Sequence, residues 1–342
     1  MEAVSRPPAT LDQVARAAGV SRATASRVFS GHPAVSAEAR QAVERAAAEL
    51  GYVPNRAARS LAAGRSESVG VVIPEPGSRL FHDPLLPRLL GGIGAELSAN
   101  GLQMVLFAPQ SPADVARLEQ YLVGGHVDAV LLLALHESES LPSRLLARGI
   151  PMVFGGRPRH QAVDVSYVDV DNHAGGRAAT EHLIAQGRRH IAHLAGPVHD
   201  SPARDRLQGF REAMWNAALR SDLLEAADFD RDAGELAMGR LLALGHEVDA
   251  VFAASDAMAA GAMWALQVLG RRVPDDVAVI GFDDSPIASA TQPPLSSVKQ
   301  PVEEMGRQMA RLVLGASTDT RSPKQMVLSP ELAVRESTVA LR

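Results

Sequence analysis

Cysteine is absent from the 342-residue chain, which excludes disulfide scaffolds, thiolate metal sites and cysteine nucleophiles. Aromatic residues make up only 4%, so any ring stacked on a ligand comes from a short set. The longest apolar run, Ala129 to Leu135, falls far short of the ~18 residues a membrane-spanning helix needs. Residues Met1 to Thr10 hold Arg6 and two prolines but no apolar secretory segment, so the expected location is the cytoplasm. An excess of one charge is also nearly missing, with 34 Lys+Arg against 39 Asp+Glu and a net charge of −5. What remains is 46% hydrophobic and 21% charged, the profile of a globular protein of two or three domains at ~150 residues each.

The small net charge hides an asymmetry. Met1 to Ser66 contains nine arginines and five acids, a balance of +4, which leaves −9 on the other 276 residues. A basic head on an acidic body suits a polyanionic partner, although a solvated surface alone would also account for it.

The head reads as helical throughout. Leu11 to Ala18, Arg22 to Phe29, Ala37 to Leu50 and Asn55 to Ala62 are the expected helices, with Ser21 and Ser36 at N-cap positions. After Ser66, short β-branched and aliphatic runs alternate with helical stretches, beginning with Val69–Ile73 and continuing to Ser296–Val298. Some nine strands in this βαβ rhythm predict an α/β body of two doubly wound lobes. Val127–Val130 and Val248–Val251 share the sequence VDAV, each opening a strand, which supports an internal repeat. The expected division is residues 1–53 for the head, 54–66 for a hinge helix and linker, and 67–342 for the core. Within the core, lobe 1 is expected over about 67–168 plus 299–323, and lobe 2 over about 169–298 plus 324–342.

Leu11 to Ser30 carries the pattern of a helix-turn-helix. Leu11, Val14, Ala18, Val20, Ala25 and Val28 are apolar where two helices must pack, and Gly19 occupies the turn. The second helix then presents Arg22, Ala23 and Arg27 at its N-terminal end, the part that reaches base edges in a major groove. Arg22 and Arg27 suit bidentate contacts to guanine. Thr24, Ser26, Ser36 and Arg40 are placed for phosphates, which position a head without reading sequence.

These residues carry a resemblance. Thr10–Phe29 (TLDQVARAAGVSRATASRVF) and Leu50–Leu61 (LGYVPNRAARSL) resemble the head and hinge of the lactose-repressor (LacI/GalR) family of bacterial transcriptional regulators. Gln13 stands where many members have Asp, and Ser30 where many have Asn. The resemblance adds Thr10, Leu11 and Ser21 to the DNA-facing set. It also implies a hinge helix in which Asn55 and Arg56 reach backbone or groove, Ala58 lets paired helices approach, and Leu61 wedges into the minor groove. Unstacking a base step costs a few kcal/mol, offset by bending DNA onto more protein surface.

The body resembles the family's regulatory core, of periplasmic sugar-binding type, through Val168–Leu183 (VDVDNHAGGRAATEHL), Arg204–Phe210 (RDRLQGF), Ala253–Ala259 (AASDAMA) and Val279–Asp284 (VIGFDD). Family positions make Arg206 and Asp283 the principal ligand contacts, a donor fork and a carboxylate that together suit sugar hydroxyls. Ser255 offers a further polar group, and Asp256 either contacts ligand or caps the helix after it. Phe81 and Phe229 are platforms for a sugar ring or else core residues, and Arg157 faces either cleft or solvent.

Other chemistry is thin. His190 and His193 lie three apart in a strand and cannot share a metal, and His136-Glu137 and His246-Glu247 lack the second histidine of a metalloprotease. Gly92-Ile93-Gly94 suits helix packing better than dinucleotide binding. No cofactor is expected. The resemblance implies a repressor of sugar-utilisation genes, homodimeric on double-stranded operator DNA and released by a mono- or oligosaccharide. A corepressor such as a nucleobase, a transport-type sugar-binding protein and, last, an enzyme are the alternatives. The ending Glu331–Arg342 is too short for a coiled coil of three heptads, so a dimer rather than a tetramer is expected.

Overall fold

A computed structural model describes residues 9–30, 32–53, 65–73, 83–133, 141–158, 165–316 and 323–339. The expected hinge residues Asn55, Arg56, Ala58 and Leu61, and the aromatic Phe81, lie outside the described residues. By internal contacts the chain divides into two units, residues 1–67 and 68–342.

The first unit contains α1 (Leu11–Ala17), α2 (Arg22–Phe29) and α3 (Ala37–Leu50). A hydroxyl starts each one. Thr10 Oγ1 accepts from the Gln13 N–H while the Gln13 side chain accepts from the Thr10 N–H, a reciprocal capping box. Ser21 and Ser36 accept from the N–H groups of Thr24 and Ala39. Each such cap contributes about 1 kcal/mol, which matters for helices of seven and eight residues. Gly19 turns the chain between α1 and α2 at φ 67°, a left-handed conformation that costs glycine little. Val14, Ala15, Ala25, Val28, Val43, Ala46 and Ala47 are buried together, and Leu11, Ala18, Val20, Phe29 and Tyr52 close around them.

The second unit is built on two six-stranded sheets. The first comprises β1 (Ser68–Val72), β2 (Gln103–Phe107), β3 (Ala129–Leu133), β4 (Met152–Gly155), β5 (Ser166–Val170) and β11 (Gln325–Leu328), ordered β11-β5-β4-β3-β1-β2. The second comprises β6 (Ile191–Ala195), β7 (Leu224–Ala226), β8 (Ala250–Ala253), β9 (Ala278–Asp283), β10 (Ser296–Lys299) and β12 (Glu331–Ala333), ordered β12-β10-β9-β8-β6-β7. Pairing is parallel throughout except for β10 with β12. All five residues of β3 are buried, as expected of a parallel strand covered on both faces.

Helices supply that cover. On the first sheet α4 (Leu86–Ala99) and α12 (Val302–Ala316) pack on one face, α5 (Pro112–Val123) and α6 (Leu141–Ala147) on the other. On the second, α9 (Arg231–Ala243) and α10 (Asp256–Val268) oppose α7 (Asn172–Ala185) and α8 (Ser201–Asn216). A short α11 (Pro286–Ala290) follows β9. Gly92 settles the Gly92-Ile93-Gly94 motif. A Cβ there would lie 2.1 Å from the Glu303 carbonyl oxygen, so its missing side chain lets α4 lie directly on α12.

The chain crosses between lobes after β5, after β10 and after β11. The third crossing corrects the expected division, which placed residues 324–342 in lobe 2. Gln325–Leu328 instead extends the first sheet beside β5, and only β12 returns to the second. The exposed and half-buried residues of β11 alternate, the pattern of an edge strand, and it caps a backbone edge that β5 would otherwise leave unpaired. Two short strands, β7 and β11, lie outside the runs read from the sequence, while β12 falls where the alternation of Leu332 and Val334 fits a last strand. Among the described residues no helix is long and apolar enough to cross a membrane.

Candidate functional site

The first unit presents one polar helix face. Arg22, Ala23, Ser26 and Arg27 are all exposed on α2, brought to one side by their three- and four-residue spacings. The first turn of α2 holds no acidic residue, so the positive end of its dipole is unopposed within the helix. Arg22 Nε lies 3.5 Å from Asp12 Oδ1, with 72% of its side chain exposed. Such a pair is worth at most about 1 kcal/mol, which leaves the guanidinium free to exchange Asp12 for a stronger acceptor. The Ser21 and Thr24 hydroxyls are hydrogen-bonded at 2.9 Å. Arg40 Nη2 donates to the His32 carbonyl at 3.2 Å, which braces the exposed Ser36 end of α3.

In the second unit, buried polar groups meet where strands of the second sheet end. Arg206, on α8, is 5% exposed. Its Nε donates to Asn172 Oδ1 at 2.9 Å and its Nη1 to the Ala254 carbonyl at 2.5 Å. Nη1 also stands 3.8 Å from Asp283 Oδ1, and the guanidinium carbon lies 3.7 Å from the centre of the Phe282 ring. Desolvation lowers the Arg206 pKa, and the charges of Asp283, Asp200, Asp169 and Asp256 oppose this. Asp283, at the end of β9, accepts from Gln300 Nε2 at 2.7 Å. Burial raises its carboxyl pKa to about 8, with Arg206 pulling the other way.

Asp283 and Asp284 both have positive φ, 113° and 50°. Such conformations cost of order 1–3 kcal/mol each and persist only where surrounding groups enforce them. Asp256 does so from α10. Its Oδ2 accepts from the Ser285 N–H at 2.7 Å, and its Oδ1 accepts from Ser297 Oγ at 2.6 Å. Ser297 Oγ in turn accepts from the Asp284 N–H at 3.0 Å. Asp256 is therefore not the cap of α10. That role belongs to Ser255, whose Oγ accepts from the Met258 N–H and donates to the Phe229 carbonyl. The alternation of roles has a simple cause: the residue before a helix turns its side chain back on the first turn, while the next one already points along the helix wall.

The remaining expected residues are placed as follows. Phe229 is half-buried; its ring fills the space a side chain on Gly196 would need and stands 5.8 Å from the Arg206 guanidinium carbon. Arg157 extends from the end of β4 and pairs with Asp205 on α8. Asn172 and Phe282 lie inside stretches that carry the resemblance but were missed as individual positions, and Gln300 lies just past the strand run Ser296–Val298. A polar residue opening the helix that follows a strand was the available signal for Asn172. Asp169, buried and with its carboxyl pKa raised chiefly by desolvation, carried no such signal. His190 is exposed while His193 is fully buried, and among the described residues no group of three or more potential ligands could hold a metal ion.

Comparison with known proteins decides the family. Residues 10–55 match the model for bacterial regulatory proteins of the lacI family, and residues 180–338 match a periplasmic binding protein-like domain. The transcriptional regulator CelR of Thermobifida fusca is 48% identical over 341 residues, covering 98% of this chain and all of the relative. The chain belongs to the LacI family of bacterial regulatory proteins. A ribose operon repressor of Halalkalibacterium halodurans is 35% identical over 310 residues, 89% of each chain. Among solved structures, a CelR–cellobiose complex matches with a TM-score of 0.75 at 47% identity, over 97% of this chain and all of that one. The lac repressor dimer bound to operator and the anti-inducer ONPF matches with a TM-score of 0.86 at 28% identity, over 98% and 100%. This LacI-family protein is a DNA-binding transcriptional regulator.

Proposed function

We propose that this regulator represses sugar-utilisation genes from a palindromic operator and is released by a sugar of the cellobiose type. The reading is carried by the Arg206–Asp283 pair, a donor fork and an acceptor buried at the ends of the second sheet's strands in a chain 47% identical to a regulator solved with cellobiose. Arg206 and Asp283 are the assigned effector contacts, with Phe229 as the apolar platform and Ser255 beside it. Vicinal sugar hydroxyls can accept from a guanidinium and donate to a carboxyl oxygen at once. The site binds without reacting, so the protein is a sensor rather than an enzyme.

Arg22, Ala23 and Arg27 read bases, while Thr10, Leu11, Ser21, Thr24, Ser26, Ser36 and Arg40 hold the backbone. Asn55, Arg56, Ala58 and Leu61 are assigned to the hinge on sequence alone. One short helix reads too few base pairs for useful specificity, so the working unit is a homodimer acting on DNA in the cytoplasm. Effector and operator each favour a different arrangement, and each therefore weakens the other by the same factor.

Thermal shift with a panel of sugars, followed by titration of each hit into an operator complex, tests this. Cellobiose or a related glucoside is expected to raise the melting temperature and dissociate the DNA. A hit that tightens DNA binding would make the effector a corepressor, and stabilisation by nucleobases alone would remove the sugar assignment.

A further inference from the structure

Among the described residues, two charged contacts tie the first lobe to the second, and each lands beside a candidate effector contact. On one flank Arg157 Nη2, following β4 of the first sheet, pairs with Asp205 Oδ2, and Asp205 is the neighbour of Arg206 in the chain. On the other flank Arg88, in the first turn of α4, donates Nη1 to the Asp284 carbonyl at 3.2 Å, and Asp284 is the neighbour of Asp283. Arg88 is itself aimed from within the first lobe, its Nε and Nη2 donating to the two carboxylate oxygens of Glu303 at 2.7 and 3.0 Å. Asp284 is fixed from within the second, its Oδ1 accepting from Arg335 Nη2 at 2.6 Å.

We infer that Arg157 and Arg88 are positioning residues that do not touch the effector but set how the first lobe lies over it, through Asp205 and the Asp284 carbonyl. The inference rests on the reading of Arg206 and Asp283 as effector contacts. A ligand that displaces either one shifts the neighbouring residue that holds the bridge, because consecutive Cα atoms stay at a fixed separation across a planar peptide. The bridges thereby bias the equilibrium between lobe arrangements, and any bias acts on effector and operator in opposite senses. Arg157 has 49% of its side chain exposed and Arg88 24%, so each bridge shifts the balance by about two- to five-fold rather than locking it.

The test uses the full chain, an operator selected from random DNA, and cellobiose as the probe. The variants are Arg157→Gln, Asp205→Asn, the two combined, the charge exchange Arg157→Asp with Asp205→Arg, and Arg88→Gln. Each single variant is expected to move operator affinity and effector affinity in opposite senses by about two- to five-fold. The combined variant should move them no further than either single one, and the charge exchange should restore them toward the parent. Additive effects, no effect, or shifts of both affinities in the same sense would overturn the inference. So would loss of cellobiose binding in Arg157→Gln as complete as in Arg206→Ala, which would make Arg157 a ligand contact. If cellobiose fails to release the parent protein, the effector assignment falls instead. Operator affinity without sugar then still decides on the bridges, by whether the Arg157 and Asp205 variants are non-additive.

Discussion

The Arg206 guanidinium carbon rests 3.7 Å from the centre of the Phe282 ring, with the plane's remaining edges directed at Asn172, the Ala254 carbonyl and Asp283. A buried cation thus has an aromatic face under it and acceptors around its rim. Only a planar fork satisfies both sets at once, because an ammonium offers a compact point charge on a flexible stem. Arg206→Lys should therefore abolish the effector response although it keeps the charge. Operator affinity should stay within a few-fold, since the residue is not part of the head. Titration of cellobiose against free and operator-bound protein measures both, and a normal response in the variant would dismiss Arg206 as the anchor.

Asp283 makes stability depend on pH in an unusual direction. An unfolded aspartate releases its proton near pH ~3.9, whereas the native group holds it to about 8 because it is buried. Between those values the native state binds more protons, so this contribution is complete below the unfolded value and is lost as pH rises through the native one. Melting temperatures taken from about pH 5 to about pH 9 should fall steadily up to about pH 8 in the parent and level off beyond it. Asp283→Asn should flatten that slope; an unchanged slope would place the titration elsewhere.

Base reading by Arg22 makes a sharper claim than DNA affinity alone. Arg22→Ala should lose about 1–3 kcal/mol of discrimination at one symmetric pair of operator positions. Its Asp12 partner, 3.5 Å away on an exposed face, is too weak to compete. Binding assays against single-base operator variants check this. A uniform loss on every sequence would instead mark a phosphate contact.

Gly176 sets the height of α8 above α7, and so the position of Arg206. A Cβ on Gly176 would fall 2.3 Å from the Arg206 carbonyl oxygen, a backbone atom that cannot swing aside. Gly176→Ala should cost about 1–3 kcal/mol by overpacking and weaken effector binding as α8 is pushed outward. Gly239, on α9, has nothing within 4 Å of the same added atom, and Gly239→Ala should gain roughly 0.5–1 kcal/mol. Urea unfolding of both variants, with cellobiose titration of the first, separates crowding from helix propensity.

The sequence by itself determined the elements and the local chemistry. Thr10, Ser21 and Ser36 cap helices, Gly19 takes the turn, and Val14, Ala25 and Val28 pack. Each of these follows from spacings of a few residues, where backbone geometry leaves little choice. The same holds for the strand runs of the body, whereas Arg206 and Asp283 were legible only through the stretches that carry the family resemblance. Tertiary structure decided what meets what. Arg206 finds Asn172 and the Ala254 carbonyl 34 and 48 residues away, and no local pattern encodes a distance closed by folding. Gln325–Leu328 joined the first sheet because β5 offered a free edge, a property of the assembled sheet and not of those four residues. Ser255 and Asp256 are adjacent, and sequence could not divide capping from clamping between them. The partners that divide the work, Ser297 and the Ser285 N–H, reach Asp256 only once β9 and β10 lie side by side beneath α10.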